Sequence, residues 1–307
     1  FFQAEDGIRD CLLSRGLGDV YKRQASACSS ARILLNSKSK QHPNGLGNSS
    51  DLVGRYLHDS TGGDMMAFIP ELINRKTYNE DGVGGMHVYS PWWLDNKNLD
   101  FARGYHIEVW GGLGAPSYGT GFNVNSFNKF FGINKAGGYG NSLRDDMKKY
   151  YGSTIGLSGR GESIAQKTNY CEIDPNKVDK YGVPVLRFNY KWTDNEIKQA
   201  KHMQDTFEEI IHNMGAIPLW GKPGKEANYG LTKPGQIIHE VGTTRMGSNP
   251  KDSVVNEFEQ LHDVSNVFVV DAGPFVSQAD KNPTWTILAL AMRSSEKIIE
   301  EFKKQNF

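Results

Sequence analysis

The sequence predicts a mixed α/β (α+β) chain, and three observations carry that reading. An apolar run at 267–270 ends in Asp271-Ala-Gly273, and after Asn282 and Pro283 the apolar residues Ile287, Leu288, Ala291 and Met292 keep helical spacing. Between about 61 and 233 the chain is instead rich in β-branched and aromatic residues that alternate with polar ones, as half-buried antiparallel strands do. A helical pattern then begins at about Asp194. A buried strand running into a small-residue turn and a helix start makes an edge where backbone N–H groups and the positive end of the helix dipole meet an electron-rich group.

Taken in order, residues 1–24 stand apart. Phe1-Phe-Gln-Ala-Glu-Asp-Gly-Ile-Arg-Asp10 and Gly16-Leu-Gly-Asp-Val-Tyr-Lys-Arg-Gln24 resemble translated sequencing-adapter sequence and are set aside as a non-native segment. Residues 25–37 read as a small-residue turn entering a short helix with Ile33 and Leu34 on its apolar face. Residues 42–50 are turn-rich and include the formal glycosylation sequon Asn48-Ser-Ser50. Strands are expected at Met65-Met-Ala-Phe-Ile69, His87-Val-Tyr-Ser90, Tyr105-His-Ile-Glu-Val-Trp110 and Val185-Leu-Arg-Phe-Asn-Tyr190. The helix from Asp194 carries Ile197, Ala200, Phe207, Ile210, Ile211 and Met214; Thr193 and Glu196 form its capping box, and Gly215 is its C′ residue. At the C-terminal helix Pro283 fits an early position, where a missing N–H costs nothing.

Composition excludes several functions. The chain has 307 residues, with 35 basic and 35 acidic side chains, so its formal charge is zero. That balance gives no electrostatic reason to expect nucleic acid or an anionic membrane, and no apolar run reaches transmembrane length. With Cys11 set aside, Cys28 and Cys171 remain, without the spacing of a zinc site or a disulfide framework, and read as buried thiols. Glu240 after His239 hints at a metalloprotease helix, but the second histidine of His-Glu-x-x-His would fall at 243, where the chain has Thr243. No metal ligand set is expected.

The C-terminal third carries a longer pattern. His239-Glu-Val-Gly-Thr-Thr-Arg-Met-Gly247 is followed by Ser253-Val-Val-Asn256, His262-Asp-Val-Ser-Asn-Val-Phe-Val269, Asp271 and Asn282-Pro-Thr-Trp-Thr286. In that order these resemble the C-terminal signature of glucose-methanol-choline (GMC) oxidoreductases, most nearly the branch with pyranose oxidases and bacterial glucoside 3-dehydrogenases. The resemblance is sharp at 25–60 and 235–297. It implies an FAD-binding Rossmann-like domain whose N-terminal part is missing, with an inserted antiparallel-sheet substrate domain. The implied division is 25–62 plus 234–307 for the flavin domain and 63–233 for the substrate domain. The dinucleotide fingerprint Gly-x-Gly-x-x-Gly is not found: Gly82-Val-Gly-Gly85 and Gly111-Gly-Leu-Gly114 lack its spacing, and Pro116 blocks a helix after the second. The chain is therefore expected to be a C-terminal fragment, inactive alone.

What the resemblance implies for function is oxidation of a CH–OH group of a sugar, glycoside or related polyol, with FAD as cofactor. A neutral imidazole at His239 would take the hydroxyl proton, since histidine ionises near neutral pH, and Asn282 would orient the oxygen. Asp271 and Ala272 would lie against the ribityl or pyrophosphate part of FAD, and Pro283 and Thr284 near the isoalloxazine. Arg245 and Met246 read as structural, an ion pair and core. His87, Tyr89, Trp92, Trp93 and Tyr105 read as sheet packing before sugar stacking. The resemblance allows a small subunit and a cytochrome c electron acceptor, and leaves periplasmic and cytoplasmic locations both open. A flavin-fold lyase using the same histidine and a non-catalytic carbohydrate-binding fragment are the alternatives.

Overall fold

The computed structural model describes residues 26–75, 88–90, 98–111, 140–150 and 152–306. In chain order its elements are α1 (Ala27–Asn36), β1 (Thr61–Phe68), β2 (Val88–Ser90), β3 (Tyr105–Gly111), α2 (Asn141–Tyr150), β4 (Thr154–Gly161), β5 (Tyr170–Val178), β6 (Pro184–Asn189), α3 (Asp194–Asn213), β7 (Ile217–Pro218) and α4 (Thr284–Lys303). Short 3-10 turns lie at Pro70–Leu72 and Lys225–Gly230. His87, Trp92 and Trp93 fall outside the described residues, as does the first glycine cluster.

The larger sheet has the order β2-β3-β4-β1-β7, antiparallel throughout. Its alternation sorts the side chains. Met65 and Ala67 on β1, Tyr105 and Ile107 on β3 and Leu157 on β4 face α3, whose Met203, Phe207 and Ile211 close the core over them. These helix positions recur every three to four residues, which keeps them on one face. Tyr105 is wholly buried and bonds His202 and Thr206 through its hydroxyl, so it serves packing. Helix α3 starts and stops where the sequence places it. The Glu196 carboxylate accepts from the Thr193 N–H at 2.8 Å, the Thr193 hydroxyl accepts from Asn195, and Gly215 takes φ +64° past the end.

A second core is built from α1, the 52–57 loop, the β5–β6 hairpin and the 254–269 segment. Ala31, Leu34, Leu52, Val53, Leu57, Cys171, Val254, Leu261 and Val269 form it, with Ile173 and Leu186 packed against it. Gly54 is required here: at φ +88°, a Cβ would lie 2.1 Å from the Cys171 carbonyl oxygen. Strands β4 and β5 were not expected. β4 is glycine-rich, because Gly159 and Gly161 leave room for Met203, Phe207 and Gln199, and that composition hides a central strand.

Three expectations change, and a fourth, burial of both thiols, holds for Cys171 only. Residues 267–270 make no strand: Phe268 forms one isolated bridge with Gln260, Val269 is buried and Val270 is exposed, because no other described segment pairs with this stretch. On α4, Ile287 packs into a small cluster with Ala27, Val241 and Ala272, but Leu288 and Met292 are exposed. Arg245 makes no ion pair among the described residues and lies over the Tyr56 ring at 4.5 Å, a cation–π contact, while Met246 does pack on the core. Asn48 is buried, its amide donating to Asn44 and accepting from Val53, so the sequon is not presented. Cys28 and Cys171 are both free, Cys28 only half-buried. Among the described residues no helix is long and apolar enough to cross a membrane, and no cluster could hold a metal.

The α3 contact with the sheet should dominate stability. Replacing Phe207 with Ala should cost about 3–5 kcal/mol by denaturant unfolding, the range for deleting a fully buried aromatic ring.

Candidate active site

Histidine 239 is held by its backbone before its side chain is considered. The Asp59 carboxylate accepts from the N–H groups of Ser60 at 2.8 Å, His239 at 3.0 Å and Gly235 at 3.2 Å. The Asp59 main chain is also occupied: its N–H donates to the Tyr190 hydroxyl and its carbonyl accepts from Ser163. Asp59 is fully buried, and burial pushes its carboxyl up to about 6 against the opposing pull of the N–H donors. Next to it, His58 and Val241 exchange a short antiparallel bridge that fixes the strand-like run after His239. Gly242 lets that run cross closely: at φ +92°, a Cβ would meet the Tyr56 carbonyl at 2.3 Å. Ile238, exposed and at φ +59°, holds a left-handed backbone that a β-branched residue rarely adopts, immediately before the histidine.

The His239 ring is half-buried, with Nδ1 at 3.4 Å from the Ser60 hydroxyl. Gln278 joins this pair by donating to the Ser60 hydroxyl at 3.3 Å and to the Lys281 carbonyl at 3.1 Å. Burial, with the Arg160 guanidinium and His106 nearby, lowers the proton affinity of His239, and Glu108 partly opposes this. The ring is therefore neutral at pH 7.

The charges acting on His239 come from the face of the large sheet that α3 does not cover. His106 and Glu108 on β3 and Ser158 and Arg160 on β4 share this face with Asp64 on β1, through the pairs His106 with Arg160 and Asp64 with Ser158. His106 lies between Glu108 at 3.2 Å and Asp280 at 3.4 Å. Burial alone would lower its pKa; the two carboxylates outweigh that and raise it. Burial opposes ionisation of Asp280, yet His106 and Lys281 hold its pKa below the usual range.

The expected site residues are only partly brought together. His239 is linked through Ser60 and Gln278 to the loop that ends at Asn282. Asn282 itself is exposed and makes no hydrogen bond to His239, and no side chain caps α4, whose N-cap position is Pro283. Asp271 turns inward, accepting from the Ser30 hydroxyl at 2.5 Å and the Gly273 N–H at 2.7 Å. Ala272 is buried against Ile287 at the α4 start. Pro283 is half-buried and Thr284 exposed. Sequence reasoning missed Ser60, Gln278, His106, Glu108, Arg160 and Asp280. For His106 and Glu108 a signal existed, since alternation along 105–110 puts them opposite Tyr105 and Ile107.

The residues around α4 fit a flat, electron-rich group. The helix start is uncapped, Thr244 Oγ1 is buried without a partner beside Gly273, and a Cβ on Gly273 would strike that hydroxyl at 2.3 Å. Small residues, free N–H groups and an orphan hydroxyl are what a ring edge docked at a helix N-terminus requires.

Residues 166–291 match the GMC oxidoreductase family model. The chain carries a GMC oxidoreductase C-terminal domain. The chain is 31% identical over 280 residues to 2-methyl-1,2-propanediol dehydrogenase of Mycolicibacterium austroafricanum, covering 91% of this chain and 47% of that protein. It is 31% identical over 166 residues to the gluconate 2-dehydrogenase flavoprotein of Pantoea cypripedii, covering 54% of this chain and 27% of that protein. Its fold is similar to that of formate oxidase from Aspergillus oryzae RIB40, with a TM-score of 0.54 at 13% identity, over 91% of this chain and 54% of the other. The chain thus spans about half the length of the first of these relatives and of the formate oxidase chain, and its match covers about a quarter of the gluconate 2-dehydrogenase flavoprotein. GMC oxidoreductases are FAD-dependent, and the α/β fold and the family expected from the motifs hold.

Burial of His58 gives a pH signature for this region. Burial, with Arg245 nearby, lowers its pKa to about 4 from an ordinary 6.5, so it stays neutral in the fold. The unfolded chain then binds the proton first, and stability present above pH 6.5 is lost as pH falls towards 4, by about 3 kcal/mol. Asp59, raised to about 6, has the opposite slope between 6 and 3.8 and offsets it. His58→Asn, which can keep the donor to the Tyr56 carbonyl, should gain about 3 kcal/mol relative to wild type between pH 7.5 and 4 in denaturant unfolding.

Proposed function

We propose that this chain is the C-terminal part of an FAD-dependent oxidoreductase that oxidises a CH–OH group of a sugar, glycoside or related polyol. The observation that carries the reading is His239: half-buried, anchored through its backbone N–H to Asp59 and 3.4 Å from the Ser60 hydroxyl, in a GMC-type domain. In this reading His239 accepts the hydroxyl proton as the C–H bond breaks. Asn282, at the mouth of the same loop, orients the substrate oxygen. Burial, helped by Arg160 and His106, lowers the proton affinity of the imidazole at rest, so it is ready to act as a base. Bound FAD supplies the hydride acceptor. The α4 start, with Pro283 and Thr284, would lie near the flavin ring, and Ala272 and Asp271, the latter held by Ser30 and Gly273, would lie towards its ribityl or pyrophosphate part.

The fragment reading has its own support. Trp285, Met292 and Phe302 on α4 are 85%, 67% and 74% exposed, with Leu288 and Ile299 on the same stripe. A solvent-facing apolar stripe of this length needs a cover, and the relatives carry about as many residues again as this chain matches. The proposed division into a flavin domain (25–62 and 234–307) and a substrate domain (63–233) accords with the two separate cores. The β5–β6 hairpin is the exception, since it packs with the flavin-domain core. A small subunit and a cytochrome c acceptor remain part of the proposal for the whole protein.

Two measurements test this. In the full-length protein, His239→Ala should slow anaerobic flavin reduction by substrate by roughly 10²–10⁴; an unchanged rate removes it as the base. The present chain, purified alone, should lose flavin on gel filtration, and retention of one yellow flavin per chain would refute its dependence on a missing half.

A further inference from the structure

The carboxylate beneath the 235–239 turn holds it unevenly. Asp59 Oδ1 accepts twice, from the N–H groups of Ser60 at 2.8 Å and His239 at 3.0 Å, whereas Oδ2 accepts once, from Gly235 at 3.2 Å. Gly235 is exposed, so this third bond is the outer end of the anchor. A second carboxylate lies on the same side. Glu240 lines the same cavity of about 250 Å³ as Asp59, and a Cβ on Gly235 would meet its Oε1 at 3.9 Å. Among the described residues the Glu240 side chain has no hydrogen-bond or ion-pair partner, and no cation contacts Asp59.

The other titratable groups facing Asp59 are Cys28 on α1, Tyr190 just after β6, and its neighbours His58 and His239. The contact with Cys171, and then burial, keeps the Cys28 thiol protonated; burial does the same for the Tyr190 phenol and keeps His58 neutral down to about pH 4. Between pH 5 and 7.5 the charge here is therefore set by Asp59, Glu240 and the His239 ring. Burial first, and Glu240 after it, raise Asp59 to about 6 against the N–H donors, inside that interval.

A proton taken up by Asp59 goes to Oδ2, because Oδ1 already accepts two N–H groups. The carboxyl O–H then opposes the Gly235 N–H, donor against donor, and turns towards the Glu240 carboxylate, which accepts. Gly235 is left without an acceptor. Ile238, at φ +59°, keeps its left-handed backbone only while both ends of the turn are tied.

We propose that Asp59 is a positioning residue whose protonation unlatches the 235–239 turn at Gly235, lets Ile238 relax and draws the His239 ring away from Ser60, so that Asp59 and Glu240 form a pH-sensitive switch acting on that histidine. Its effect on turnover rests on the reading of His239 as the base; the latch itself does not depend on turnover.

The test is hydrogen exchange, read by mass spectrometry, on the full-length protein at pH 7.5 and pH 5, with each rate corrected for its intrinsic pH dependence. Peptides covering 235–241 should lose protection about five- to tenfold at pH 5, as for loss of one hydrogen bond, while those of β1 and β4 keep theirs. Asp59→Asn retains Oδ1 for Ser60 and His239 but sets an NH2 against Gly235, so the turn should be equally unprotected at both pH values. Glu240→Gln breaks no bond of the turn and removes one negative charge, so the midpoint of the change should move to lower pH; if Asp59→Asn does not fold, wild type and Glu240→Gln decide. In anaerobic flavin reduction by a sugar or polyol, wild type should lose rate on the acid side with two protons, one at His239 and one at Asp59, and Asp59→Asn with one. Unchanged protection of 235–241 between the two pH values, a pH-dependent turn in Asp59→Asn, a midpoint unmoved by Glu240→Gln, or a one-proton acid limb in wild type would each overturn the proposal. A turn that behaves as expected in a protein whose flavin no sugar or polyol reduces would leave the switch standing and sink the oxidoreductase reading instead.

Discussion

The buried carboxylate of Asp59 is the constraint on which the site depends. Three backbone N–H groups from two distant parts of the chain, Ser60 and the 235–239 turn, converge on its two oxygens. Such a carboxylate is costly to bury and useful only if every lone pair has a donor. Satisfying it forces the turn at 235–239 against the start of β1. The His239 ring then lies beside Ser60, and the left-handed backbone at Ile238 follows from holding both ends of that turn. The hydrogen bonds to Asp59 and the bridge between His58 and Val241 supply the stability that offsets this local strain.

From that anchor the two faces of the large sheet divide the work. The face towards α3 is apolar and closed, and sets the position of β1 to within the tolerance of a packed core. The opposite face is a row of paired charges. Alternation makes these two properties inseparable: a residue inserted in β3 would turn His106 and Glu108 into the core and Tyr105 and Ile107 towards His239. The site therefore inherits its rigidity from packing on the far side of the same strands, and its polarity from the intervening residues.

Much of this was legible in the sequence, and the limits have physical causes. Helix α3 was readable to its caps because an amphipathic helix encodes itself locally, in spacing and in Thr193, Glu196 and Gly215. The signature around His239 was readable because the residues of one turn are adjacent in the chain. Strand β4 was not, since its glycines answer to side chains of α3 some forty residues later. The same holds for Gln278 and Asp280, whose importance comes from contacts with Ser60 and His106 more than 170 residues away. Residues 267–270 failed in the opposite direction. The apolar run is present, but a strand is a relation between segments, and the described chain offers this one only Gln260.

That last case and α4 point the same way. Among the described residues, an apolar run without a strand partner leads within two residues to Ala272, which packs on Ile287 of the helix whose other apolar stripe is open to water. Both belong to the part of the chain where Thr244 has a buried hydroxyl without a partner. Unpaired strand edge, bare helix face and orphan polar atom are three kinds of unsatisfied surface, and in a packed protein each would be met by a different neighbour: a parallel strand, an apolar element and a ligand.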